Sequence, residues 1–166
     1  MPKRFPLPLL ALAASLSGCA SSVLNNRYPP IGEFIEVDDQ RLHLVDAGRE
    51  SDLPPLLLVH GANSNLRDFE SSIAPRLREV TRVISIDRPG FGHSPASADW
   101  LNPSQLADLL LQAAEQRGVE RPIVVGHSWG GSVAMAALVD HGDRISGAVA
   151  LSGVAGHWAG AADFKH

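Results

Sequence analysis

The sequence predicts an α/β fold in which a mostly parallel sheet is flanked by helices, and three observations predict it. Apolar runs of strand length recur at 56–60 (LLLVH), 82–87 (RVISID), 123–126 (IVVG) and 145–151 (ISGAVAL). Each is close to continuously apolar, the pattern of a strand buried on both faces. Segments with helical spacing lie between them, and a strand-helix alternation of this kind calls for parallel pairing through right-handed crossovers.

Taken in order, residues 34–37 and 41–46 are short strand-like runs joined by the polar Asp38-Asp39-Gln40, an antiparallel hairpin. Residues 48–55 are turn-rich. After the loop 61–65, Leu66, Phe69, Ile73 and Leu77 recur at helical spacing, with Ser64 or Asn65 as the cap. The Gly/Pro-rich loop 88–95 follows the strand at 82–87. Pro103 and Gly118 bracket a further helix, with Leu106, Leu109, Leu110 and Ala113 on its inner face. The last helix runs from Gly130 to about His141, before the strand at 145–151.

The 166 residues are 45% apolar and 19% charged, which suits one folded domain rather than disorder. Lys3 and Arg4 precede an uncharged apolar stretch, 5–16, too short to cross a bilayer stably and of export-signal type. It ends in Leu16-Ser17-Gly18-Cys19, which resembles the lipobox of bacterial lipoproteins. That resemblance implies cleavage before Cys19, the chain's one cysteine, and its lipidation. Ala20 in the next position implies an outer-membrane destination where the cell has such a membrane. The expected organisation is therefore a signal peptide at 1–18, a flexible tether at 19–33 containing Pro29-Pro30, and the folded domain from 34 to 166. Without Lys3 and Arg4, 12 basic residues face 18 acidic ones, a net charge of −6 that argues against a nucleic-acid partner.

Chemistry concentrates in Gly126-His127-Ser128-Trp129-Gly130, a G-x-S-x-G pentapeptide between an apolar strand and a small-residue helix. A serine on such a turn is strained and exposed, and the helix that follows aims free N–H groups at an oxyanion. Two further motifs accompany it: His60-Gly61-Ala62-Asn63 after the first buried strand, and Asp87 to Ser94 (DRPGFGHS) after the second. Together these three motifs resemble the α/β-hydrolase family over roughly residues 34–155. The resemblance implies that Ser128 is a nucleophile and that the amides of Ala62 and Trp129 form the oxyanion hole. It places His60 at a structural position and the loop 87–94 in support of the site.

A serine in that turn, rather than an aspartate, favours acyl transfer from an ester-like or acyl small molecule over dehalogenation or epoxide opening. No metal-ligand spacing stands out, and no metal or cofactor is expected. Gly90-x-Gly92-x-x-Pro95 is a broken dinucleotide fingerprint, and no P-loop occurs.

The family's chain order is serine, acid, histidine, on loops after successive strands. Asp163, His157 and His166 remain after 151, but no further strand and loop is recognisable around them. The expectation is a hydrolase fold incomplete at its C-terminus, inactive alone for want of the acid and histidine. The strand at 145–151 becomes an apolar edge prone to self-association. The alternative is a non-catalytic lipoprotein that uses the partial hydrolase fold for binding or scaffolding. Completion by a second polypeptide is a third reading.

Overall fold

A computed structural model describes residues 27–153. The signal peptide, Cys19, most of the tether, His157, Asp163 and His166 lie outside the described residues. A compact unit begins at Gly32. Its strands are β1 (Glu33–Val37), β2 (Gln40–Gly48), β3 (Leu56–Val59), β4 (Arg82–Ile86), β5 (Ile123–His127) and β6 (Gly147–Leu151). Helices α1 (Arg67–Glu70), α2 (Ala74–Leu77), α3 (Pro103–Gln116) and α4 (Trp129–Asp140) connect them, and a 3-10 turn, Gly142–Arg144, precedes β6.

The six strands form one sheet in the order β1-β2-β4-β3-β5-β6. β1–β2 and β2–β4 pair antiparallel, and β4–β3, β3–β5 and β5–β6 pair parallel. The expected mostly parallel α/β architecture is thus present. Period-2 alternation divides the strand residues between two apolar layers. Leu57, Val59, Ile84, Ile86 and Val124 pack with α3 and α4. Leu58, Val83 and Val125 pack with Phe69 of α1 and Ala74 of α2. Neither layer can be stripped from the central strands without exposing apolar surface, which is why their sequences are continuous.

α3 shows the clearest end signals. Asn102 Oδ1 accepts from the Gln105 amide at 2.9 Å, and Gln105 Oε1 accepts from the Asn102 amide at 3.1 Å, a reciprocal capping box in front of Pro103. At the other end Gly118, at φ +70°, donates its amide to Glu115 O. The predicted inner face of Leu106, Leu109, Leu110 and Ala113 is buried.

One element departs from expectation. The single helix over 66–77 is two four-residue helices joined by a turn at 71–73. Pro75 has no N–H to give to Ser71 O, so a continuous helix would lose a bond there. The hydroxyls of Ser71 and Ser72 also bond back to carbonyls of the preceding turn. Ile73, placed on the apolar face by spacing, sits in the turn and is 37% exposed. The expected cap by Ser64 or Asn65 is not formed either: the N-cap residue is Leu66, without a side-chain bond, and Asn65 Oδ1 instead accepts from the Arg67 amide at 3.0 Å in a turn just ahead of the helix.

At one end of the sheet, Asp46 on β2 accepts a bidentate pair from Arg82 at 2.9 and 2.7 Å and a third bond from Arg117 at 3.1 Å. This joins the start of β4 to the end of α3. Among the described residues β6 is an edge strand, with Val149 and Leu151 41% and 37% exposed.

Candidate active site

Ser128 stands between the end of β5 and the start of α4, at φ 52° and ψ −117°. A non-glycine residue in this region carries strain of about 1–3 kcal/mol. The surroundings hold it there: the Ser128 amide donates to Leu151 O at 2.9 Å, and Ser128 O accepts from the Gly131 amide at 2.9 Å. The two motif glycines are needed because the turn is so tight. A Cβ at Gly126 would lie 1.9 Å from Gly130 O, and one at Gly130 would lie 2.2 Å from Val59 O.

The HG loop passes directly beside this turn, for a Cβ at Gly61 would meet Ser128 Cβ at 3.2 Å. Two side chains fix the loop. His60, fully buried, lies with Nε2 3.1 Å from the Arg88 amide and Nδ1 2.9 Å from Gly61 O. An amide can only donate, so Nε2 accepts and Nδ1 carries the hydrogen: the imidazole is neutral. Burial, with the nearby Arg88 charge, lowers its pKa from 6.5 to about 4. With both nitrogens engaged, His60 is a strut of the loop.

Arg88 is the second fixing group. Its Nε donates to His60 O at 3.2 Å and its Nη2 to Gly61 O at 2.8 Å. The Gly61–Ala62 peptide therefore has its carbonyl held by two donors, His60 Nδ1 and Arg88 Nη2. Because the peptide is trans, the Ala62 N–H projects to the opposite side, and donation to the carbonyl strengthens that N–H as a donor. Neither the Ala62 amide nor the Trp129 amide donates to a described residue. Ala62 and Trp129 line one cavity of about 440 Å³ with Arg88, Phe91, Trp100 and Leu106.

Behind the loop lies a fully buried cluster around Asp87. Its Oδ2 accepts from His43 Nδ1 at 2.7 Å and from the His93 amide at 2.9 Å, and its Oδ1 accepts from the Leu66 amide at 2.7 Å. Burial opposes its charge, but the His43, Leu66 and His93 bonds outweigh that and hold its pKa below the usual 3.8. Ser94 Oγ donates to Asp87 O at 2.7 Å and accepts from the His43 amide at 2.9 Å. The loop 87–94 thus positions the exit of the HG loop at Leu66. His43 was not visible as a site-supporting residue in the sequence, since a lone histidine on a strand carries no motif.

Ser128 Oγ has no hydrogen bond to any described histidine. His43 and His60 are held as above, His93 stands edge-on to the His43 ring with centroids 5.1 Å apart, His141 Nε2 lies 3.2 Å from Ser104 O, and His127 is exposed at the end of β5. No group of three or more metal-ligating side chains occurs among the described residues.

The strand-serine-helix turn, the HG loop and the sheet order are those of the α/β-hydrolase fold, and the family model for the alpha/beta hydrolase fold matches residues 54–166. The chain belongs to the α/β-hydrolase family. It is 30% identical over 123 residues to haloalkane dehalogenase 2 of Mycobacterium tuberculosis, covering 74% of this chain and 42% of that one. It is 32% identical over 132 residues to a 2-hydroxymuconate semialdehyde hydrolase of a Pseudomonas species, covering 77% and 45%. Among solved structures, a hydrolase from Pseudomonas aeruginosa superposes with a TM-score of 0.69 at 23% identity, covering 78% of this chain and 49% of that one. Est816, described as an N-acyl homoserine lactone degrading enzyme, superposes at 0.65 with 26% identity, covering 73% and 45%. The chain spans less than half the length of each of these relatives.

Proposed function

We propose that Ser128 is the nucleophile of an acyl-transfer hydrolase acting on an ester, thioester or amide. Its Oγ attacks the carbonyl carbon, its proton passes to a base, and the oxyanion is received by the amides of Ala62 and Trp129. The observation that carries this reading is the turn itself: a strained serine held between Gly126 and Gly130, beside a loop whose Gly61–Ala62 peptide is clamped from behind. Each oxyanion donor typically contributes two to three powers of ten in rate. The serine at position 128 separates this chemistry from routes that begin with a carboxylate nucleophile.

The described residues offer Ser128 no base, and a serine hydroxyl attacks poorly without one. The 166-residue chain alone is therefore expected to form no adduct with a fluorophosphonate probe. Added imidazole, as a diffusible base, is expected to produce an adduct that tandem mass spectrometry places on Ser128 and that Ser128→Ala abolishes. No adduct under either condition would sink the nucleophile reading. It would leave the alternative, a non-catalytic lipoprotein that binds through the same fold.

The reading also includes a lipid anchor at Cys19 and a place in the bacterial cell envelope, supported by the charged start, apolar stretch and lipobox-like ending of residues 1–19. In bacteria fed an alkynyl fatty acid, the protein is expected to become labelled and to partition with membranes. Equal labelling of Cys19→Ser would reject Cys19 as the acceptor.

A further inference from the structure

Arg88 does more than hold the HG loop. It is 5% exposed, yet it forms no ion pair among the described residues. Burial without a carboxylate partner pulls its pKa down to about 10, so it remains a cation at neutral pH. Two aromatic rings flank it, with the guanidinium carbon 4.3 Å from the Phe91 centroid and 4.4 Å from that of Trp129. Nε and one Nη2 hydrogen go to the carbonyls of His60 and Gly61. Nη1 bonds to no described residue, and it is not among the buried side-chain atoms left without a partner. It therefore keeps accessible surface, and Arg88 is one of the residues that line the cavity.

A desolvated guanidinium with donors facing an apolar, aromatic-walled cavity is a receptor for a planar anion. The only acidic side chain in the lining, Asp99, is exposed. Building on the reading of Ser128 as an acyl-transfer nucleophile with Ala62 and Trp129 as its oxyanion donors, we infer that the cavity these two residues line takes an acyl substrate bearing a second, ionised carboxylate, which Arg88 receives. The distance to the nucleophile suits a short chain, because the Arg88 guanidinium carbon lies 4.4 Å from the ring centroid of Trp129, the residue that follows Ser128. The substrate class is the half-ester, or corresponding half-amide, of a small dicarboxylic acid.

The test compares monomethyl glutarate with dimethyl glutarate, titrated into the full chain and followed by tryptophan fluorescence and by the guanidinium 15N resonances of Arg88. The half-ester is expected to bind at least about tenfold more tightly, the increment of a charge-assisted hydrogen bond. It is also expected to shift the Arg88 resonances where the diester does not. Arg88→Met is expected to equalise the two ligands, and Arg88→Lys to keep part of the preference. Equal binding by the wild-type chain, or binding of neither ligand, overturns the inference. So does a preference that survives in Arg88→Met, since the anion would then rest on the amides of Ala62 and Trp129 as a product does. Where Arg88→Met fails to fold, unshifted wild-type resonances overturn it as well. A Ser128 adduct without any carboxylate preference rejects this inference alone, whereas a preference without an adduct rejects the hydrolase reading alone.

Discussion

Asp87→Ala is expected to lower the free energy of unfolding by about 3–5 kcal/mol, the usual cost of removing one partner from a buried charged network. The carboxylate accepts from three donors, His43 Nδ1 and the amides of Leu66 and His93. Alanine removes the acceptor of all three, two of them, His43 Nδ1 and the Leu66 amide, in buried bonds. Asp108 is the contrast: its carboxylate pairs with Arg144 on the surface and is 42% exposed, so Asp108→Ala is expected to change stability by no more than about 1 kcal/mol. Urea denaturation of both variants at neutral pH makes the comparison. Equal losses would show that the Asp87 cluster does not carry the loop.

Acidification is expected to destabilise the fold while Asp87 is still ionised. His60 is held neutral with a pKa of about 4, against 6.5 in the unfolded chain. Between those values the unfolded chain binds the proton and the folded one does not, so unfolding gains. The contribution is complete above about pH 6.5 and is lost as pH falls towards about 4. A shift of this size corresponds to about 3 kcal/mol. Asp87, whose pKa is lowered below 3.8, adds a further loss only below that value, with the same sign. Denaturant midpoints measured down this range should fall in wild type and fall less steeply in His60→Gln. A flat wild-type profile between about pH 6.5 and 5 would contradict a neutral, buried His60.

The sheet and the nucleophile turn were legible because their physics is local in sequence. Continuous apolar runs mark strands covered on both faces, and Gly126 and Gly130 sit where a side chain would strike a backbone oxygen. The helix over 66–77 is broken for a local reason too, one that apolar spacing does not register: Pro75 lacks a donor. What was not legible depends on residues brought together from afar. The His43–Asp87 pair joins β2 to the loop after β4, and although Asp87 opens the DRPGFGHS motif nothing in the sequence marks His43 as its partner. Arg88 was visible as a motif residue, but its grip on two carbonyls and its open Nη1 follow only from the crossing of two loops. The walls contributed by Trp100 and Leu106 come from before and within α3, far from any motif.

The sheet order carries a consequence for the growing chain. β3 lies between β4 and β5, and both of its neighbours are made after it. The ribosome thus releases the apolar segment LLLV before either flanking strand exists, while the β1–β2 hairpin already has its local partner. Until β5 has been synthesised, the middle of the sheet has one open side. A segment that ends paired on both edges is, during synthesis, the one left waiting longest for cover.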